Sequence, residues 1–540
     1  MLLSDFNSFF LNTVENIVSD LSGDNNVAMQ YLSTLNKPCT NFEFTKFSVE
    51  EVYSAIFELS NSTCLDVYGI NSKLMKIAAD YICEPLEYIL NNCIMQCTYP
   101  DMFKFSKVIP VYKKGSKSDY ANYRPICIIP IVSKVFEILL AKQIRKYFEQ
   151  NSLFTNCQYG FRTGISTIDA LTEYVKSCLN VLESGLAVTS CFFDLTKAFD
   201  TVSHEILTNK LAFYGFNKNS VDLVISYLNN RFQSVCSNGS VSSFKLVRHG
   251  VPQGSVLGPI LFIIYINELP TVIHNICPDA FMYADDLATI VKHKNIDSLQ
   301  EKVESTSSEI IKWCNINNLR LNNDKTIHLQ FNLSSQVSSV KNARFLGINV
   351  DSNLGWSSHV DYLASKISKG LFSLRVLSQT IDKTCLISVY YANIHSLLGY
   401  GTLLWGNHGT ASRLFILQKR AIRIICGVTS RFHTRPLFIN LGILTLPSIF
   451  VLSCLLYVKN HINNFKICSS VHDYPTRNRF NICINKYKYS KTQNSFQYVS
   501  IKLFNSIPLN IRNLNINDFR NKIKCILINN PLYTIDEFYG

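Results

Sequence analysis

The chain has 540 residues, 47% of them apolar, which supplies large cores and excludes wholesale disorder. Its 52 basic and 39 acidic side chains sum to +13, but unevenly: from Lys341 onward 24 Lys+Arg meet 7 Asp+Glu (+17), leaving 28 against 32 (−4) before it. The basic last 200 residues suggest a polyanionic partner, with a merely well-solvated surface as the alternative.

Apolar residues every three or four positions predict helices over Asn7–Leu21, Ser48–Leu59 and Ile70–Cys97. Val108–Tyr112 then predicts a strand, Lys113–Tyr120 a polar basic loop and Ser133–Asn151 an amphipathic helix. Ala187–Leu195 is a compact apolar strand ending around an aspartate. Ser203 and Ser220 are placed to N-cap helices running to about Tyr214 and Arg231. Phe232–Cys236 and Val241–Val247 flank Asn238-Gly239, the sequence signature of a hairpin turn with positive φ.

Ser255–Leu269 predicts a helix after a Gly/Pro turn. Ala280–Ala284 and Leu287–Val291 predict a second hairpin, closed by Asp285-Asp286. A helix from about Ser298 to Asn317 follows, then short strands near Thr326–Phe331 and Ala343–Val350. Val360, Leu363, Ile367, Leu371 and Leu374 space as one face of a long helix. Further helices are expected at Thr384–Ser396, N-capped by Thr384, and at Ser412–Ile425, closed by Gly427. After about residue 465 the Asn-, Lys- and Tyr-rich sequence shows no usable period.

The 18 cysteines are scattered through a chain too long to need disulfide staples, and Asp5 interrupts the apolar opening at once. Reduced thiols in an intracellular protein, nuclear or cytoplasmic, are therefore expected. Cys93-x3-Cys97 and Cys468-x3-His472-x10-Cys483 do not supply a tetrahedral zinc set. Pro447 and several Ser/Thr break the apolar run Leu441–Val458, which reads as a buried helix rather than a membrane span.

Three aspartates stand among core residues. Asp194 ends Cys191-Phe192-Phe193, and Asp285-Asp286 separates two β-like segments. Taken singly, these are a strand terminator and a turn pair. Together, strand ends and a hairpin tip are places where neighbouring strands bring carboxylates within reach of one metal, and oxygen-only ligands suit Mg²⁺. Two such ions are the usual arrangement for in-line displacement at phosphorus.

The surrounding residues carry a resemblance. Phe192-Phe193-Asp194-Leu195-Thr196-Lys197-Ala198-Phe199-Asp200 resembles motif A of reverse transcriptases, Gly250-Val251-Pro252-Gln253-Gly254-Ser255-Val256-Leu257-Gly258-Pro259 motif B, and Tyr283-Ala284-Asp285-Asp286 motif C. Upstream, Asn122-Tyr123-Arg124-Pro125-Ile126 and Gln158-Tyr159-Gly160-Phe161-Arg162 resemble fingers motifs. Downstream, Asn323-Asp324-Lys325-Thr326 and Phe345-Leu346-Gly347 resemble motifs D and E. The forms of motifs A and B are similar to those of non-LTR retrotransposons of the jockey and CR1 types. So are Leu417-Gln418-Lys419-Arg420-Ala421-Ile422-Arg423 and Tyr400-Gly401-x3-Trp405-Gly406.

The resemblance implies an α+β right-hand polymerase: fingers, a palm with an antiparallel sheet, a helical thumb, and a mainly helical basic C-terminal region. The expected division is an N-terminal helical extension over 1–105, fingers and palm over 106–350, thumb and basic helices over 351–430, and a region of unassigned role over 431–540. It implies an RNA-directed DNA polymerase using two Mg²⁺ ions, with Mn²⁺ as a substitute. RNA template, DNA primer or target and deoxynucleoside triphosphates are the implied partners, without a membrane. The oligomeric state stays open. The alternative is an inactive nucleic-acid-binding remnant of such an element. No endonuclease motif precedes the first helix, so a truncated copy with polymerase chemistry is expected, nicking being supplied elsewhere.

By the same resemblance Asp194 and Asp285 bind both ions with the backbone carbonyl of Leu195, and Asp286 is an accessory charge. Phe199 lies under the incoming sugar and excludes ribonucleotides, a role compatible with plain core packing. Gln253 donates near the sugar, and Gly254 lets backbone approach. Arg124, with Lys113 or Lys114, grips the triphosphate. Lys325 protonates leaving pyrophosphate, or is simply solvated. Arg162 touches nucleic-acid backbone or forms a salt bridge. Arg413, Lys419, Arg420 and Arg423 form the basic side of a helix that tracks phosphates, and the aromatics of Tyr487–Tyr498 either stack on bases or lie on an ordinary surface.

Overall fold

The computed structural model describes residues 3–21, 23–33, 35, 37–331, 340–470 and 478–539. His472 of the Cys/His cluster lies outside them. The chain separates into two compact units, one built from 1–170, 191–291 and 300–327, the other from 171–190, 292–299 and 328–540.

The first unit opens with the helix Leu3–Ser19, which buries Phe6, Asn7 and Phe10. Val49–Glu58 follows its predicted start, with Ser48 and Glu51 forming a reciprocal capping box. The expected helix Ile70–Cys97 is instead two, Ser72–Ile77 and Ala79–Met95. Asn71 caps the first, and Ala78 is shared between the end of one and the start of the next.

Strand β1 (Phe105–Tyr112) pairs antiparallel with β2 (Tyr123–Ile128), so that Val111 lies opposite Arg124. The next strands are β3 (Ala187–Phe193), which reaches this unit at Cys191–Phe193, and β4 (Leu195–Thr196). Asp194 is the break between them. β5 (Arg231–Ser237) runs parallel to β1 and turns through Asn238-Gly239, φ +50° and +81°, into β6 (Ser240–Val241). The predicted return strand is split, because β7 (Lys245–Val247) pairs again with β5.

β8 (Asp279–Tyr283) and β9 (Asp286–His293) form the second hairpin, and β9 lies between β8 and β3. Tyr283 is opposite Asp286, so the turn is Ala284-Asp285 rather than Asp285-Asp286. β10 (Arg320–Leu321) pairs with β4. The helix Leu257–Tyr265 buries nearly every residue and forms the centre of this unit. Ser203 caps His204–Phe213 as predicted. Ser220 does not cap: Asn217 does, three residues earlier, accepting the Ser220 N–H, while the Ser220 hydroxyl accepts from Phe44 N–H inside the core.

The second unit contains β11 (Ile327–Phe331) from His328 onward, and the hairpin β12 (Asn342–Phe345) and β13 (Ile348–Asp351). Its first long helix, Ser357–Leu377, buries Val360, Leu363, Ile367, Leu371 and Leu374 as their spacing predicts. Asp382, not Thr384, caps Lys383–Tyr390; its longer acceptor reaches both the Thr384 and Cys385 N–H groups. Ser412–Cys426 ends at Gly427 with φ +64°. Beyond residue 465, where the sequence offered no pattern, Phe496–Ser506 and Ile516–Asn529 are helices. The apolar run near 441–458 becomes Leu446–Asn460, with Pro447 in its first turn and most of its apolar residues buried. Among the described residues no single helix is long and apolar enough to cross a membrane.

Candidate active site

Asp194, at the end of β3, presents its carboxylate to Lys325, whose Nζ lies 2.6 Å from Oδ2. Asn322 N–H donates to the Asp194 carbonyl at 2.8 Å, which anchors the loop carrying Lys325 beside this strand end. Leu195, the next residue, is paired with Leu321.

Asp285 sits in the hairpin turn, after Ala284 in left-handed backbone (φ +55°). An alanine there costs about 1–2 kcal/mol relative to ordinary backbone, so surrounding contacts must hold it. They come from Gln158-Tyr159-Gly160. The fully buried Gln158 accepts through Oε1 from the Gly160 and Ala284 N–H groups at 2.7 and 3.1 Å. Tyr159 N–H donates to Met282 O at 2.8 Å. A Cβ on Gly160 would stand 2.5 Å from the Ala284 nitrogen, so only glycine admits this approach.

Burial and the neighbouring Asp194 raise the Asp285 carboxyl, with its own backbone N–H, Lys325 and Arg124 opposing. Asp286 is pushed up to about 6 by burial and by repulsion from Asp285 and Asp194. The three carboxylates thus feel one another across two strand ends. Lys113 is held below its ordinary value by burial and by Arg124, Lys325 and Lys114, while Asp194 draws it back. Lys113, Lys114 and Arg124 are exposed on the β1–β2 ribbon.

Oxygen-only donors carrying mutual repulsion are the chemistry a hard divalent cation relieves, so these residues fit such an ion. Among the described residues no three acidic, His or Cys groups already stand as a finished ligand cage. Asp194 is engaged by Lys325.

Phe199 stacks on Phe262 at 4.3 Å between ring centroids and meets Phe161 edge-on at 6.3 Å, so the half-buried ring is fixed by the core helix beneath it. Gln253 is tied at both ends. Its carbonyl accepts from Cys127 N–H at 3.0 Å, and its Nε2 donates to both oxygens of Asp200 at 2.9 and 2.8 Å. Gly254 (φ +102°) lies where a Cβ would meet the Cys127 carbonyl oxygen at 2.7 Å; the close approach it permits is that of β2.

Arg162 is a structural fork, donating to Glu149 at 2.9 and 3.1 Å and to the Thr155 carbonyl at 3.3 Å. In Ser412–Cys426, Lys419 lies over the Phe415 ring at 4.6 Å, Arg423 donates to Phe432 O at 2.9 Å and Arg413 pairs with Asp361 at 2.5 Å. Arg420 is exposed. Glu183 accepts from Tyr489 N–H at 3.1 Å and the Thr492 hydroxyl at 2.8 Å, which docks part of the aromatic segment. The Cys468 and Cys483 sulfurs are 3.4 Å apart.

Glu137 has no motif to announce it. Fully buried, it accepts from Val256 and Leu257 N–H at 2.7 and 3.0 Å, capping the central helix, which has no side-chain cap of its own. It thereby fixes the end of the Gln253-Gly254-Ser255 loop. A carboxylate complementing a helix N-terminus is the expected physical match, but its partner is 119 residues away.

Residues 111–350 match the family model "Reverse transcriptase (RNA-dependent DNA polymerase)". Three Drosophila melanogaster proteins are each 26% identical to this chain. The "Probable RNA-directed DNA polymerase from transposon BS" aligns over 73% of this chain and 47% of its own length. That "from transposon X-element" aligns over 71% and 44%. The "RNA-directed DNA polymerase from mobile element jockey" aligns over 72% and 45%. The chain spans about half the length of the curated relatives it matches.

Proposed function

A reverse transcriptase domain of the kind found in non-LTR retrotransposons lies within this chain, and we propose that the chain copies RNA into DNA by template-directed nucleotidyl transfer. The observation that carries this reading is the set of mutually repelling carboxylates Asp194, Asp285 and Asp286 in the same field as Lys113, Arg124 and Lys325. An acidic cluster beside a basic one matches a reaction that needs divalent cations and a triphosphate together.

Asp194 and Asp285, with the Leu195 carbonyl, would hold two Mg²⁺ ions, or Mn²⁺ in their place, and Asp286 adds negative charge. When bound, such ions activate the primer 3′-oxygen and neutralise the departing pyrophosphate. The chain's own residues do the rest. Lys113 and Arg124 receive the triphosphate, and Lys113 is favoured over Lys114 because its ammonium lies in the field of Asp194, Arg124 and Lys325. Phe199, braced by Phe262, forms a floor that a ribose 2′-hydroxyl would strike. Lys325, beside Asp194, would serve as the proton donor to the leaving group.

In right-hand terms β1–β2 belong to the fingers, β3, β8 and β9 to the palm, and residues 351–430 to the thumb. RNA template, DNA primer and deoxynucleotides are the partners, and the setting is intracellular. Primer extension on an RNA template with deoxynucleotides and Mg²⁺ tests the reading. Asp285→Ala is expected to lower the rate about a thousandfold, the equivalent of about 4 kcal/mol. Salt-sensitive template binding without synthesis under Mg²⁺ or Mn²⁺ would establish the inactive remnant instead.

A further inference from the structure

Asp200 belongs neither to the proposed metal ligands nor to the triphosphate contacts, yet its carboxylate is committed to a single donor. Gln253 Nε2 reaches Oδ1 at 2.9 Å and Oδ2 at 2.8 Å. The backbone brings the two residues together. Val251 N–H donates to Phe199 O at 2.8 Å and Gly250 N–H to Val202 O at 3.0 Å. A Cβ on Gly250 (φ +79°) would stand 2.5 Å from the Asp200 carbonyl oxygen, so the two segments meet only through glycine.

A primary amide has two unlike ends: its NH₂ donates and its oxygen accepts. An ionised carboxylate only accepts, so it takes the NH₂ end and directs Oε1 away from itself. Among the described residues Gln253 Oε1 has no hydrogen-bond donor from the protein, in contrast to Nε2. The sequence suggested a glutamine that donates toward the nucleotide; the structure spends that donor on Asp200.

We propose that Asp200 is a positioning residue that sets the polarity of Gln253, so that the nucleotide pocket offers an acceptor oxygen and selects a hydrogen-bond donor on the incoming deoxynucleotide. This rests on the nucleotidyl-transfer reading above. Such a donor is either the sugar 3′-hydroxyl or an N–H of the base. Burial pushes the Asp200 carboxyl up to about 6, while Lys197 on the same turn and the Gln253 hydrogen bond favour the ionised form that this arrangement needs. The Cys127 thiol on β2, and Glu15, Arg231, Arg248 and His249 around the adjoining cavity of about 70 Å³, are the other titratable or charged groups facing this contact.

Single-nucleotide incorporation by the wild-type chain comes first: absence of synthesis there overturns the polymerase reading and the selection that rests on it, whereas the variants below test the positioning role alone. With an active wild type, kcat and KM are measured for Asp200→Ala, Asp200→Asn, Gln253→Ala and the Ala/Ala double variant, using dTTP and its 2′,3′-dideoxy analogue. Losing a hydrogen bond of ordinary strength predicts a KM about tenfold higher in each alanine variant, with kcat nearly kept. The double variant should be no worse than either single one. Asp200→Asn, close in shape but able to donate as well as accept, should fall between wild type and Asp200→Ala. A narrowed preference for dTTP over the dideoxy analogue in the variants identifies the 3′-hydroxyl as the donor; a KM rise with that preference intact assigns it to the base. Multiplying effects in the double variant, or an unchanged KM in Asp200→Ala, would overturn the proposal.

Discussion

The two units handle charge in opposite ways. In the first, charged groups are spent internally: Lys210 with Glu268, Arg162 with Glu149, Lys325 with Asp194, and Glu137 on a helix terminus. In the second, whose sequence from Lys341 onward carries 24 basic against 7 acidic residues, most cations have no carboxylate available to them. Lys176 with Glu173, Arg413 with Asp361 and Arg435 with Glu537 are surface exceptions among the described residues. Unpaired net charge therefore marks the surface to test for a polyanionic partner, whereas paired charge marks architecture.

The sharpest way to break the contrast is at Lys210. Fully enclosed, it donates to the Glu268 carboxylate, to Tyr265 O at 2.6 Å and to Asn317 Oδ1 at 2.7 Å. Lys210→Met should cost about 3–5 kcal/mol by urea denaturation, because the Glu268 charge is left unpaired. Lys210→Met with Glu268→Leu should restore most of it. Equal losses in the single and double variants would show that the pair is not what matters there.

Acid should act on the two units with opposite sign. His359, in the second, is enclosed and pushed down to about 4 by burial and Arg344. Its unfolded form takes a proton near 6.5, so this stabilisation is complete above that pH and is lost as pH falls toward 4. The loss is at most about 3 kcal/mol. Asp200, in the first unit, is raised to about 6, so its contribution is complete below the unfolded value of 3.8 and is lost as pH rises through 6. Hydrogen exchange at pH 7 and pH 5 should show peptides from 357–377 losing protection in acid while peptides around 197–202 do not. His359→Gln should remove the first response.

Smaller effects sharpen the picture. Phe199→Val should cost about 10–100-fold in discrimination against ribonucleotides, read by competing dNTP and NTP incorporation. Unchanged discrimination would return the ring to plain packing. In the helix Ser412–Cys426, Lys419 and Arg423 are already engaged within their own unit, so Arg420→Gln should reduce the salt slope of duplex binding by up to about 0.9 log unit per decade. Lys419→Gln should change it less. Equal slopes for wild type and Arg420→Gln would mean that this face does not meet phosphate.

The same division governs what could be read beforehand. Reaction chemistry leaves contiguous marks: Phe193-Asp194, Tyr283-Ala284-Asp285-Asp286 and Pro252-Gln253-Gly254 were legible because close backbone turns and adjacent acids must sit side by side in the chain. Support from a distance leaves none. Glu137 reaches Val256 and Asp200 reaches Gln253 across 119 and 53 residues, and neither carries a local signal for its partner. Caps failed where two candidates competed. Asn217 and Ser220 are both good cap residues, and the helix start was decided by Ser220 being needed in the core. The second unit's long helices followed their apolar spacing, but polar, aromatic-rich sequence after residue 465 hid helices that bury only a few residues each, such as Phe519, Ile523 and Leu527 in Ile516–Asn529.

The lysine at position 210 also constrains how this sequence can drift. Its partner lies 58 positions away, so no single nucleotide change alters both. Every single substitution that removes one of the two charges leaves the other sealed alone in the interior, although two apolar residues together would be a comfortable replacement. The pair is therefore hard to leave one step at a time: only a double exchange reaches the apolar alternative without first stranding a charge.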